Sequence, residues 1–157
     1  MLSDSIGKIT LSRTTELRFD VSPYKGKKYI NIRQYVESAN FTGYTKKGIA
    51  LTQELGSKLF QAFQNNKQTG ESNQQVEICR LTKSDTTELI AQIIPPDEKH
   101  TTASIDVREY IQSETYTGWT QKGFRLPLEK WDIVVNLLGE CLERLGKENT
   151  SGIEESV

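Results

Sequence analysis

Apolar and polar residues alternate along much of the chain, with the apolar set kept to one face. Leu17, Phe19 and Val21 alternate with Arg18 and Asp20, and Ile30, Ile32 and Val36 alternate with Asn31, Arg33 and Tyr35. A period of two marks a half-buried β-strand. The pattern returns as Ile105, Val107 and Ile111 against Asp106, Arg108 and Tyr110, and shorter strands are predicted near Ile6 to Leu11 and Val76 to Leu81. Gly43 and Gly118 fall in turns leading to a last strand. Gly48 and Gly123 fall inside that strand, where glycine predicts a bulge or a close approach of two backbones.

After each set of strands the period lengthens. Leu55, Leu59, Phe60 and Phe63 fall at helical spacing behind Thr52, a suitable N-cap, with Gly56 expected to weaken or bend the helix. In the second set Pro127 suits a first helical turn, and Trp131, Val134, Val135, Leu138, Leu142 and Leu145 form a long apolar stripe with Cys141 beside it. Trp131, at the head of the stripe, is expected in the core.

The two sets are copies. Residues 30–51 and 105–126 align without a gap at a constant offset, with identical Ile, Arg, Tyr, Ser, Thr, Gly, Thr, Lys, Gly and Leu. Upstream the register slips by three, since "ELRFDV" from Glu16 pairs with "ELIAQI" from Glu88, which puts a longer loop around "PPDEKHTT" in the second copy. The predicted fold is α+β: two β-β-β-β-α repeats packed as an intramolecular pseudo-dimer of antiparallel sheets with helices. One helix is a thin cover for a four-stranded sheet, so the halves are expected to share a core. The expected boundaries are a first repeat over 1–64, a polar linker over 65–75, a second repeat over 76–146 and a disordered tail over 147–157.

Charge adds an asymmetry that the net value of −1 hides. From Glu16 to Leu51 seven Lys and Arg stand against three acids; from Glu88 to Leu126 four stand against six. A polyanion meets the local patch, so the first repeat is the expected basic half. The composition, 35% hydrophobic and 26% charged, is that of a globular protein. No apolar run is long enough to span a bilayer and "MLSDSIGKITLSR" does not resemble a signal peptide, so an intracellular protein without a membrane partner is expected, in cytoplasm, nucleoid or nucleus. Cys79 and Cys141 sit in no metal-binding spacing, His100 lies in a polar loop stretch, and no catalytic or phosphate-loop pattern stands out. Neither an enzyme nor a cofactor or metal is expected.

"YKGKKYINIRQY", Tyr24 to Tyr35, followed by "TKKGIALT", Thr45 to Thr52, resembles the core of the positive cofactor four family of single-stranded-DNA-binding transcriptional coactivators. "IDVREY" and "TGWTQKGFRLPLEKW" resemble a second copy, so the chain looks like that family's dimer fused in tandem. The resemblance implies contacts to single-stranded DNA from Tyr24, Lys25 and Lys27 of the hairpin, with Lys28 beside them, from Arg33, and from Lys46 and Lys47 of the return strand. Val36 and Ile111 depart from the family, whose members often carry tryptophan there.

A non-specific single-strand binder needs cations for the backbone and rings for the bases. Tyr44 adds a ring in the first repeat, and Arg108, Tyr116, Trp119, Lys122 and Arg125 are the second-repeat candidates. Two readings stay open at this level: Tyr35 and Tyr110 suit either a core or a binding face, and Arg33 and Arg108 suit either nucleic acid or neighbouring acids. The expected function is single-stranded DNA binding with weak sequence preference, in transcription regulation or in replication and repair. RNA and proteins of those machineries are further candidate partners, and the chain is expected as a monomeric pseudo-dimer or a homo-oligomer. A protein-interaction scaffold that keeps the fold with little nucleic-acid binding is the alternative. A double-stranded-DNA regulator has less support, because neither helical stretch is basic.

Overall fold

A computed structural model describes residues 4–66 and 74–155, with side chains over 5–66 and 74–147. The first repeat folds as β1 (Asp4–Thr10), β2 (Thr15–Tyr24), β3 (Lys27–Glu37), β4 (Thr42–Leu51) and α1 (Gln53–Asn65). The second folds as β5 (Val76–Thr82), β6 (Thr87–Ile94), β7 (Ser104–Gln112), β8 (Thr117–Pro127), a 3-10 turn (Leu128–Lys130) and α2 (Trp131–Glu155). Each repeat makes a four-stranded antiparallel sheet in simple meander order.

The alternation decides which face goes inside. Leu17, Phe19, Val21, Ile30 and Ile32 are fully buried in the first sheet, and Leu89, Ala91, Ile93, Ile105 and Val107 in the second, all in one apolar cluster with Leu59, Phe63, Trp131, Val134, Leu138 and Leu145 of the helices. Each fully buried Leu, Ile or Phe contributes about 1.5–3 kcal/mol. The thin cover is solved by exchange: α2 lies across β1, β2 and β3 of the first repeat, α1 reaches β5 of the second, and the two helices pack on each other. Trp131 meets Phe63 edge to face at 4.8 Å. The edge strands β4 and β8 run alongside each other at the junction of the two sheets.

Local chemistry explains the ends. Thr52 has extended backbone, and its hydroxyl accepts the Leu55 N–H at 3.2 Å, as an N-cap should. Pro127 does not open the helix; it ends β8 and caps the 3-10 turn, and the helix begins at Trp131. Gly56 has a packing role: a Cβ there would stand 2.9 Å from Ile30 Cδ1 and 3.2 Å from Leu142 Cδ2, so glycine lets α1 approach both β3 and α2. Burial pushes the Cys141 thiol up to about 12, in keeping with a small apolar side chain.

The register confirms the duplication strand by strand. Arg33 faces Gly48 and Tyr35 faces Tyr44, just as Arg108 faces Gly123 and Tyr110 faces Trp119, with a bulge at the same place in each. Upstream, Arg18 opposite Lys8 corresponds to Ile90 opposite Arg80, which is the predicted slip of three. Residues 67–73 of the expected linker lie outside the described residues. Over the stretch expected as a tail the backbone continues as helix to Glu155, and residues 156–157 lie outside the description. No helix among the described residues is long and apolar enough to cross a membrane.

Candidate nucleic-acid interface

The polar positions of the first sheet face outward and gather most of the candidates. Lys25 and Gly26 form the two-residue turn between β2 and β3, with φ of 50° and 80°. Positive φ at both central residues is the turn that suits a right-twisted hairpin, and it holds Tyr24 and Lys27 directly opposite one another. Tyr24 is 62% exposed, contacts Tyr29 edge to face at 6.3 Å, and has the Lys25 ammonium 5.4 Å from its ring centre. Lys27 is exposed and Lys28 half-buried.

Further along the same face, Arg18 and Arg33 stand directly opposite each other across β2 and β3. Two like charges in that relation repel, and the sheet resolves it by giving one of them away. Arg18 Nε donates to Glu16 at 2.7 Å, its guanidinium lies 3.4 Å from the Tyr35 ring centre, and its pKa is raised, chiefly by the Glu16 hydrogen bond. The same bond holds the Glu16 carboxyl below its usual range. Arg33 has no hydrogen-bond or ion-pair partner among the described residues. Tyr44 packs edge to face on Tyr35 at 5.2 Å and donates its hydroxyl to Asp20 at 3.2 Å, while burial raises the Asp20 pKa.

The bulge aims the return-strand lysines. Thr45 Oγ1 accepts the Lys47 N–H at 3.1 Å, curling Thr45, Lys46 and Lys47 off the ladder, and a Cβ on Gly48 would stand 2.7 Å from the carbonyl oxygen of Ile32. Thr120, Lys122 and Gly123 repeat this, with the hydroxyl bond at 3.1 Å. The Thr-x-Lys-Gly motif is thus a device that closes two backbones and leaves Lys46, Lys47 and Lys122 exposed.

Arg33 borders two depressions. A smaller one brings it together with Asp20, Asn31 and Tyr44. The larger, a groove of about 880 Å³, combines Tyr24, Tyr29, Arg33 and Ala50 of the first sheet with Lys83 and Lys122 from the second repeat. The second repeat's other cations are placed differently. Arg108 donates to Asp106 at 3.1 Å and to the Thr120 carbonyl at 3.0 Å, and Arg125 donates to Asp97 at 3.3 Å. Trp119, 43% exposed, packs on Tyr110 at 5.0 Å as Tyr44 does on Tyr35.

Sequence reasoning missed Arg18, Tyr29 and Phe41. Strand parity puts Arg18 and Tyr29 on the outer face, but their cross-strand neighbours require the register. Phe41, 52% exposed, occupies the turn where Ser38 bonds its backbone, and the same turn at Ser113 carries Tyr116, 50% exposed.

Fold and face together define a duplicated β4α module whose first sheet presents rings and cations outward. Residues 11–62, which lie within the first repeat, match the family model described as Transcriptional Coactivator p15 (PC4). A search of the curated proteins found no match. Among solved structures the chain is similar to WHY1 from Arabidopsis thaliana, at 8% identity over 99% of this chain and 93% of that one, with a TM-score of 0.44. It is also similar to the plant transcriptional regulator PBF-2, at 8% identity over 96% and 93%, with a TM-score of 0.41.

Proposed function

We propose that the chain binds single-stranded nucleic acid, DNA first, with weak sequence preference, and acts in transcription regulation or in replication and repair. The observation that carries this reading is Arg33: an unpaired guanidinium set between a groove walled by Tyr24 and Tyr29 and a depression walled by Tyr44. Unpaired strands expose phosphates and base faces together, and a cation between rings serves both. The match of residues 11–62 to a family model described as a transcriptional coactivator supports the same reading.

The test is fluorescence anisotropy of a labelled mixed-sequence strand of about twenty nucleotides, enough for one or two such faces, at two salt concentrations and with a duplex competitor. Salt-sensitive binding that the duplex does not displace is the expected result; no binding at low salt sinks the reading. The paired cations of the second repeat favour a scaffold role as the second reading, and a protein of that kind passes unretained through a single-stranded-DNA column.

A further inference from the structure

The two repeats share register, bulge and motif, yet their outer faces are not equivalent. In the first sheet Asn31 lies opposite Ala50, and both border the large groove. At the corresponding pair in the second sheet Asp106 lies opposite Arg125. Where Ala50 leaves room, Arg125 fills it: its guanidinium reaches Asp97 at 3.3 Å, and its Nε is buried without a partner. Asp106 is 4% exposed, and Ser104, which corresponds to Tyr29, is 2% exposed.

The loop between β6 and β7 completes the closure. Asp97 accepts backbone N–H groups from Lys99 at 2.9 Å and His100 at 2.7 Å, so the segment replacing the basic hairpin folds around a carboxylate. Arg108 is held by Asp106, whereas Arg33, its counterpart, has no partner among the described residues. The second repeat instead sends Lys122, exposed and curled outward by its bulge, to the first repeat's groove.

We propose that each chain binds one unpaired strand, in the groove where Lys122 of the second repeat joins Tyr24, Tyr29 and Arg33 of the first, and that the second repeat's own face is closed by Arg125. This rests on the nucleic-acid reading above. Duplication has then made the second repeat a wall of the first repeat's site, in place of a second site.

The experiment is calorimetric titration of the full chain at low salt with a strand of about eight nucleotides, short enough for a single face, as DNA and as RNA to separate those sources. The expected stoichiometry is one strand per chain. Lys122→Ala, an exposed substitution that leaves the fold intact, is expected to weaken that single site several-fold and to lower its salt slope by about 0.7, the share of one phosphate contact. Two strands of similar affinity per chain, or a Lys122→Ala variant that binds like the parent, overturns the proposal while leaving single-strand binding standing. No binding by the parent chain overturns both.

Discussion

The guanidinium of Arg18 covers the ring of Tyr35 at 3.4 Å from its centre, and Glu16 holds it there. In the second repeat the corresponding place is taken by Ile90, 1% exposed, at the register position opposite Arg108. The position therefore needs a flat or apolar cover for a tyrosine more than it needs a cation. Arg18→Ile is expected to cost about 1 kcal/mol, the worth of a surface cation–π contact, and to lower the melting temperature by about 2–4 °C. Strand affinity should stay within about twofold, since Glu16 already neutralises Arg18. A tenfold loss of affinity in an anisotropy titration would place Arg18 in the contact surface after all.

Tyr24 and Tyr44 expose their rings, whereas Tyr35 lies between Arg18 and Tyr44. Tyr24→Ala and Tyr44→Ala are each expected to lose about 1–3 kcal/mol of strand binding, the worth of one stacked base. Tyr35→Ala is expected to show mainly as lost stability, because it uncovers Arg18 and Tyr44 together. Melting curves and titrations on the three variants separate the two roles; equal binding losses from all three would make Tyr35 a stacking platform as well.

Gly48 and Gly123 are set by backbone contact. A Cβ would meet a carbonyl oxygen at 2.7 Å and 2.5 Å respectively, and backbone on a paired strand does not move aside. Gly48→Ala and Gly123→Ala are each expected to destabilise by about 1–3 kcal/mol, the usual cost of overpacking, seen as a lower urea midpoint. Gly26→Ala meets open space and pays only for its φ of 80°, so it should cost about 1 kcal/mol. Equal losses at the three sites would remove the close-approach explanation of the motif.

What could be read in the sequence was whatever repeats at short range. Period-two strands, the helical stripes, the constant offset between copies and the strand glycines all declared themselves, because each depends on neighbours a few residues away. The exchange of helices between sheets did not, and so the contact that Gly56 allows between α1, β3 and α2 was not legible. Arg33 and Arg108 looked alike for a related reason. One substitution on the neighbouring outward position, Asn31 in one copy and Asp106 in the other, decides whether the arginine is paired, and its effect shows only when the side chains are placed. The groove was also illegible, since it joins Lys122 to Tyr24 across the interface of the repeats.

Glu16 and Asp20, both outward on β2, make opposite predictions for pH. Burial raises the Asp20 carboxyl above its ordinary 3.8, so the fold favours its protonated form: that contribution is present below about 3.8 and is lost as pH rises through the folded value. Arg18 lowers Glu16 below its ordinary 4.5, so the fold favours its ionised form: that contribution is present above about 4.5 and is lost as pH falls through the folded value. Asp20→Asn keeps an acceptor for the Tyr44 hydroxyl and removes the buried charge, so its urea midpoint should exceed the parent's at about pH 7 and approach it near pH 3. Glu16→Gln should fall below the parent at about pH 7 and likewise converge near pH 3. If Asp20→Asn were the weaker protein at neutral pH, Asp20 would be a paired carboxylate in the folded chain, its link to Arg18 outweighing its burial, and the like-charge relation between Arg18 and Arg33 would be relieved by two acids instead of one.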